Sequence, residues 1–373
     1  MTAVRLAQLN EGGVSFWLDG ISRFLLGSDA LAALVRDWRV SGATTDLELL
    51  HHAVATGSFY TEQLRDLSSH ESDAGRAVSE LVVRDIQSAC DVLMPTHLLR
   101  HRTTGLVSVD MDPRLAHGRQ ETVDSARSLW RRVDRPNLLV KIPATDTGLG
   151  AITACLAEGI GVHATSIFSA ERYQQVTDAH LAGLTLASQA GRPLSRIHSV
   201  ASFHVSPVDG AVDPLLAAIG TDRALALRGR TALAVAHTVL ARHRETYAGE
   251  SWKPCARQGA RRQQLVWAAL AVSDSGYRDT HYADGLFAPD TVGAVSEQLL
   301  WAIADHGRVQ QDGTSRVPAP CARDLDALAE LGIALPDILS GLEEARHSWS
   351  IAWWERLLDV VATALEQPRP ARA

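Results

Sequence analysis

The stretch NLLVKIPAT, residues 137–145, has the pattern of a buried β-strand that ends in polar residues. Three apolar residues lead into Lys141, and the chain turns at Pro143. Only two lysines occur in the 373 residues, Lys141 and Lys253, and the other 34 of the 36 basic residues are arginine. Arginine keeps its proton in proteins, whereas a lysine removed from water can lose its proton. Lys141 is therefore a candidate amine nucleophile at a strand end.

Short apolar or β-branched runs recur along the whole chain, with amphipathic helical stretches between them. The predicted strands are residues 14–20, 41–46, 105–112, 137–144, 161–168, 197–205 and 264–272, with a weaker eighth at 291–296. This alternation indicates βα units and a parallel sheet, hence an α/β protein. Eight strands over about 290 residues favour a closed (β/α)8 TIM barrel over an open sheet.

Additional helices are predicted outside the regular βα alternation. The gap at residues 51–104 contains enough helical pattern for two or three helices, and the C-terminal segment 322–367 has a helical pattern as well. No linker, repeat or low-complexity segment divides the chain, apart from its last eight or so residues. We therefore expect a single barrel domain over residues 1–373, with these helices added.

Composition and charge exclude several classes of protein. The net charge of −7 and the lack of basic runs predict no nucleic-acid partner. The N-terminus has no hydrophobic signal core, and no apolar stretch of about 20 residues is present, so no membrane association is expected. The four cysteines form no CxxC pair, which argues against a zinc site or a disulfide framework. These features predict a cytoplasmic protein.

Polar side chains follow several of the predicted strands. In a (β/α)8 barrel the active site lies at the carboxyl ends of the strands. The residues at these ends are Asp19, Thr44, Thr45, Asp46, Asp110, Asp112, Lys141, Thr165 and Ser202. An amine surrounded by carboxylates and hydroxyls is suited to Schiff-base chemistry. The amine attacks a ketone, a carboxylate moves protons, and the iminium stabilises the carbanion that C–C cleavage leaves.

These candidate residues also have purely structural interpretations. Lys141 could be a structural barrel lysine that pairs with an acid. Asp19 and Asp46 could cap the helices that follow their strands, since aspartate is a preferred N-cap residue. His163, inside a predicted strand, could be a hydrogen-bonded core residue.

Several motifs, taken together, resemble those of transaldolases of the longer bacterial type over nearly the whole chain. The matching segments are FWLDGISR (16–23), SGATTD (41–46), KIPAT (141–145), SAERYQQV (169–176), SVASFHVSPVD (199–209) and DHG (305–307). The resemblance implies a (β/α)8 barrel that needs no metal or organic cofactor. It also implies transfer of a dihydroxyacetone unit from a ketose phosphate to an aldose phosphate.

The resemblance also implies roles for individual residues. Lys141 matches the Schiff-base lysine, Asp19 the acid/base aspartate of the first strand, and Thr165 the threonine that holds the catalytic water. Asp110 stands where the family has a catalytic glutamate, because SIEV has become SVDM (108–111). Asp46 and His163 replace family asparagines. The implied substrate-binding residues are Thr45, Asp46, His163, Ser202 and Phe203, and the implied partner is a sugar or sugar phosphate.

Three positions that are cationic in the family are neutral here. Pro207 stands at the arginine of SFFVSR, Gln264 at the arginine of QRPLW and Ser273 at the basic residue of WASTGVK. A phosphate needs charge-assisted donors, each worth roughly 1.5–3 kcal/mol. We therefore expect an altered or unphosphorylated substrate preference, as suits a specialised biosynthetic pathway.

Two alternatives to this altered enzyme remain open. One is a housekeeping transaldolase of the pentose phosphate pathway whose phosphate site is rebuilt, with Arg261 or Arg262 as candidate cations. The other is a catalytically weak relative that acts as a binding or scaffold protein. Either a monomer or a homodimer is expected.

Overall fold

The computed structural model describes residues 2–69, 73–99, 104–308 and 319–366. Eight parallel strands pair in chain order, and β1 pairs with β8 to close the barrel. The strands are β1 Ser15–Asp19, β2 Val40–Thr44, β3 Leu106–Val109, β4 Leu138–Pro143, β5 Val162–Ile167, β6 Ser199–His204, β7 Gln264–Ala268 and β8 Thr291–Val295. The predicted (β/α)8 barrel is confirmed, and each predicted strand is present but shorter, with β2 beginning one residue before its predicted start.

Helices surround the barrel and extend it at two places. They are α1 Thr2–Glu11, α2 Arg23–Gly27, α3 Ala30–Asp37, α4 Leu47–Thr56, α5 Thr61–Ser69, α6 Ala74–Leu99, α7 Arg119–Val133, α8 Asp146–Ala157, α9 Ala170–Gln189, α10 Ser206–Ile219, α11 Asp222–Leu225, α12 Thr231–Ala248, α13 Lys253–Arg257, α14 His281–Leu286, α15 Glu297–His306, α16 Ala319–Glu330 and α17 Leu335–Glu366. Short 3-10 turns occupy Ser58–Tyr60, Pro113–His117 and Leu194–Arg196. The additional helices lie where the sequence predicted them, between β2 and β3 and after β8.

The alternation of side chains along β4 explains why a lysine can end an apolar strand. Val140 and Ile142 lie in the large apolar cluster that includes residues of the surrounding helices. Leu139 instead belongs to a small apolar cluster made entirely of strand residues, including Trp17 and Val266. Because successive side chains of a strand point to opposite faces, Lys141 shares the interior face with Leu139. The strand therefore directs its amine into the barrel.

The helix α17 contributes to the carboxyl end of the barrel. Arg172 of α9 holds it there, with its guanidinium 3.1–3.2 Å from Glu343 of α17 and 2.7 Å from Asp146 of α8. Three residues of this helix, Arg346, Trp349 and Ser350, line a cavity together with strand-end residues. The barrel mouth is therefore partly built from a helix that follows all eight strands in sequence.

None of the described helices combines the length and the apolar composition that crossing a bilayer needs.

Candidate active site

A cavity of about 390 Å³ opens at the carboxyl ends of the strands. Eight of the nine predicted site residues line it: Asp19, Thr45, Asp46, Asp110, Lys141, His163, Thr165 and Ser202. They come from four strands, β1, β4, β5 and β6, or from the one or two residues that follow β2 and β3. Barrel closure thus converts strand-end positions that are far apart in sequence into one polar site.

Lys141 lies beside Asp110 in this cavity. Its Nζ donates to Asp110 Oδ2 at 2.9 Å and also to the backbone carbonyl of Thr45. The lysine side chain is 12% exposed, so the amine is largely removed from solvent but open to the cavity. Asp110 therefore contacts the amine although its side chain is one methylene shorter than glutamate.

Thr45 fixes the position of the Asp110 carboxylate. Thr45 Oγ1 donates to Asp110 Oδ2 at 2.7 Å, and the backbone N–H of Asp110 donates back to Thr45 Oγ1 at 2.9 Å. The two residues follow the neighbouring strands β2 and β3. The same carboxylate oxygen thus accepts from both Thr45 and Lys141, which restricts the direction in which the acid can move.

Asp19 is the carboxyl group whose protonation is most strongly altered in the cavity. Its pKa is raised to about 6, mainly by burial, and the nearby carboxylates Asp46 and Asp110 act in the same direction. Lys141 and Arg346 act in the opposite direction. A carboxyl group that titrates near neutral pH can both accept and return a proton, as general acid–base catalysis requires.

The structural interpretation of Asp46 is correct, because its Oδ1 accepts a hydrogen bond from Leu49 N at 2.9 Å and caps α4. The same residue also lines the cavity, so the capping role and a binding role are compatible. Asp19 caps no helix, because α2 begins only after Ser22. The capping alternative therefore applies to one of the two aspartates.

His163 is buried and hydrogen-bonded, as its structural interpretation predicted. Its Nδ1 lies 2.6 Å from Ser108 Oγ, and its ring meets Trp17 edge to face at 6.3 Å. Burial, with a smaller contribution from Lys141, holds the pKa of His163 well below 6.5. The ring is therefore neutral, and its Nε2 is buried without a hydrogen-bond partner among the described residues.

Thr165 belongs to a short series of polar side chains on β5 and β6. Its Oγ1 lies 3.2 Å from the Ser202 hydroxyl, which donates to it, and 3.1 Å from His204 Nε2. His204 also lines the cavity and was missed in the sequence. The signal was available, because Ser202 and His204 are two residues apart on one strand and so share a face.

The alternation of side chains along β6 places Phe203 outside the cavity. Phe203 is fully buried on the opposite face of β6, where its ring contacts Trp267 edge to face at 6.2 Å. It belongs to the large apolar cluster and does not line the cavity. The structure therefore does not bring this predicted substrate-binding residue to the site.

Of the three neutral positions, Gln264 does not lie at the barrel mouth. Gln264 is the first residue of β7, and it lines a different cavity of about 510 Å³ at the amino ends of the strands. Arg261 and Arg262 line that second cavity as well. Because the strands are parallel, neither arginine lies at the mouth, where it would replace a missing phosphate ligand.

The other two positions are close to the carboxyl end but outside the cavity lining. Pro207 lies in the first turn of α10, and Ser273 lines a smaller cavity beside Asp274. Among the described residues, Arg346 is the only arginine that lines the active-site cavity. Its guanidinium lies over the ring of Trp349, 4.1 Å from the centroid. Sequence motifs gave no signal for this cation.

The closed barrel and the amine and carboxylates that converge at its mouth define a (β/α)8-barrel enzyme of the aldolase type. A family model described as Transaldolase/Fructose-6-phosphate aldolase matches residues 16–357. The chain therefore belongs to the transaldolase family, and it is a transferase of the transaldolase type.

Similar proteins agree with this assignment along their full length. A transaldolase of Thermobifida fusca is 46% identical over 361 residues, which cover 96% of this chain and 98% of the relative. Transaldolase 1 of Streptomyces avermitilis is 43% identical, with 98% and 96% covered. A transaldolase of Mycolicibacterium smegmatis is 40% identical, with 97% of each chain covered.

Proposed function

We propose that this enzyme transfers a three-carbon ketol unit, dihydroxyacetone, between sugars through a Schiff base on Lys141. The observation that carries the proposal is the contact between the Lys141 amine and the Asp110 carboxylate inside the barrel mouth, 2.9 Å apart. An amine needs a nearby acceptor for its proton before it can attack a carbonyl carbon. Asp110 is the acceptor in direct contact with it.

The first half of the reaction forms the Schiff base and cleaves the donor. The Lys141 amine adds to the donor ketone, and the carbinolamine loses water to give an iminium. A base then removes the proton of the hydroxyl next to the scissile bond. That C–C bond breaks, its electrons move into the iminium to give an enamine, and an aldehyde leaves.

The second half reverses these events with a different aldehyde. The enamine carbon attacks the acceptor, the new alkoxide takes up a proton, and water adds to the iminium to release the product and the free amine. We assign the proton transfers to Asp110 and Asp19 and the positioning of water to Thr165. The raised pKa of Asp19, about 6, supports a role in both directions of transfer.

We further propose that the substrate phosphate contributes less to binding than is usual in the family. Five carboxylates line the cavity, against Lys141 and Arg346 as its cations among the described residues. The cavity carboxylates are Asp19, Asp46, Glu48, Asp110 and Asp112. This excess of negative charge disfavours a dianion and favours an unphosphorylated or otherwise altered sugar, as a specialised biosynthetic pathway would use.

A second candidate function is a housekeeping transaldolase of the pentose phosphate pathway with a rebuilt phosphate site. The observation that favours it is Arg346, a guanidinium that lines the cavity and makes no ion pair among the described residues. The two candidates differ in one ratio, kcat/KM for a phosphorylated ketose relative to its free form. We expect the phosphorylated and free ketoses to differ in kcat/KM by at most about 10- to 100-fold, since one charged contact is worth roughly 1.5–3 kcal/mol.

The central proposal is tested by trapping the Schiff base. A panel of phosphorylated and free ketoses is added with borohydride, and the modified lysine is located by mass spectrometry. We expect labelling of Lys141 and its loss in Lys141→Arg. Lys253→Arg is a matched control, because Lys253 is exposed and pairs with Glu250.

Labelling of Lys253 instead, or no labelling with any ketose, would contradict the assignment. If no ketose labels the protein although circular dichroism shows an intact fold, a binding or scaffold protein would be favoured over an enzyme.

We also propose that the enzyme works in the cytoplasm. Its four cysteines are unpaired, which supports a reducing compartment.

A further inference from the structure

His204 lies at the end of β6, next to the proposed water-holding threonine. Its ring is only 6% exposed and lines the cavity. The ring stacks on Phe168, with centroids 5.3 Å apart and 29° between the planes, while Nε2 lies 3.1 Å from Thr165 Oγ1. The stack fixes the plane of the ring, and the polar contact fixes the direction of Nε2.

The Ser202 hydroxyl determines the direction of the Thr165 hydroxyl proton. Ser202 Oγ donates to Thr165 Oγ1 at 3.2 Å. A hydroxyl has one proton to give and two lone pairs that accept. Once one lone pair of Oγ1 accepts from Ser202, the Thr165 proton has Nε2 of His204 as its nearest acceptor. The second lone pair then faces the cavity.

The imidazole of His204 is able to accept this proton because it is neutral. Burial holds the pKa of His204 well below 6.5, and the charges of Arg346 and Lys141 lower it further. A neutral imidazole has one nitrogen that accepts a hydrogen bond. With the proton on Nδ1, that acceptor is Nε2, the atom in contact with Thr165.

We propose that His204 is a positioning residue that orients the Thr165 hydroxyl, so that Thr165 accepts a hydrogen bond from the reacting water. The inference rests on the proposed function, in which Thr165 acts where water leaves the carbinolamine and adds to the iminium. A water that donates to Thr165 presents its own lone pairs to the Lys141 adduct. His204 would therefore affect the water steps and leave substrate binding largely unchanged.

The test removes the acceptor nitrogen without removing the ring. His204→Phe keeps the stack on Phe168 and has no Nε2, whereas His204→Gln restores an acceptor at a similar reach. We expect kcat of His204→Phe to fall roughly 10- to 100-fold with KM within about threefold, as misorientation of a reacting group predicts. His204→Gln should recover kcat to within about threefold of the natural enzyme.

A matched control makes the same substitution outside the barrel. His180 of α9 stacks on Trp252 at 6.4 Å and 23°, and its Nδ1 lies 3.1 Å from Tyr247 Oη. His180→Phe also removes one buried hydrogen bond, so it costs stability in the same way, but kcat should stay within about twofold. His204→Asn is a second truncation, too short to reach Thr165, and should behave like His204→Phe.

Each outcome decides the proposal. Unchanged kcat in His204→Phe or His204→Asn overturns it, and so does a His204→Gln variant that is as slow as either truncation. The double variant Thr165→Val with His204→Phe gives a further check. If its loss of kcat equals the product of the two single losses, the proposal is overturned, because residues that act through one shared hydrogen bond should not have independent effects. Failure of the proposed function itself is recognised separately, since the natural enzyme would then give no borohydride label on Lys141.

Discussion

The two ends of one barrel hold two cavities of opposite character. The carboxyl end has the smaller one, about 390 Å³, in which carboxylates surround Lys141. The amino end has the larger one, about 510 Å³, lined by Arg261 and Arg262 with Asp290 as its carboxylate. The cavity at the amino end is the larger and has more arginines, both of which would suit a sugar phosphate. The amine of Lys141 and the carboxylates nevertheless lie in the cavity at the carboxyl end.

Strand direction explains the difference. Gln264 begins β7 and Ala268 ends it, and four residues of strand span about 13 Å. A change of four positions in sequence therefore moves a side chain from one cavity to the other. Cations near a strand in sequence are relevant to catalysis only if they follow its carboxyl end.

The largest effect that separates the two ends is expected at Asp110. Asp110→Asn removes the proton acceptor of Lys141 and should slow turnover by roughly 10²–10⁴-fold. Asp290→Asn makes the same change at the amino end and should leave kcat within about twofold. Steady-state kinetics with the ketose that labels Lys141 measures both. A loss below about threefold in Asp110→Asn would make Asp110 a bystander.

The next effect concerns stability at the carboxyl end. An acid whose pKa rises from 3.8 to about 6 on folding makes the protein less stable as pH rises through that window, because the unfolded chain ionises first. Asp19→Asn should therefore raise the free energy of unfolding at pH 8 by about 3 kcal/mol. The gain should vanish below about pH 4.

Urea denaturation at the two pH values measures this gain, and turnover should fall in the same variant. An equal stability change at both pH values would mean that packing, and not the charge of Asp19, is responsible.

A smaller effect is expected at Arg346. Arg346→Met keeps the apolar stem and removes the guanidinium, so kcat/KM for phosphorylated ketoses should fall roughly 10- to 100-fold. Values for free ketoses should stay within about threefold. Equal losses for both kinds of donor would mean that the variant disturbs α17 and that Arg346 binds no phosphate.

The smallest effect is expected at the amino end. Arg261→Ala combined with Arg262→Ala should leave kcat/KM for fructose 6-phosphate within about twofold, because their cavity opens at the far side of the barrel. A tenfold loss confined to phosphorylated donors would contradict this. Such a loss would mean that Arg261 or Arg262 contributes to binding of the substrate phosphate.

Local sequence was sufficient for much of the fold and for the centre of the site. Strand periodicity gave the eight strands, and the polar residue that ends each run gave Lys141, Asp110 and Thr165. The prediction that Phe203 binds substrate was wrong, although the alternation of side chains along a strand could have corrected it. With Ser202 on the interior face, Phe203 must point outward and His204 inward.

Other features depend on tertiary placement and could not be derived from local patterns. Arg346 lies on a helix whose own sequence does not indicate which part of the barrel it covers. The contact of Arg172 with Glu343 fixes that position, and it joins residues 171 positions apart. The position of Gln264 at the amino end of β7 was not evident from its motif, because similarity of residues does not specify where a strand begins.

The position of α17 also has a consequence for protein synthesis. All eight strands precede α17, so a nascent chain can close its barrel before Arg346 and Trp349 have left the ribosome. At roughly 5–20 residues per second, several seconds pass between the emergence of β8 and that of α17. During this interval the barrel mouth lacks the three residues, Arg346, Trp349 and Ser350, that α17 contributes to the cavity around Lys141.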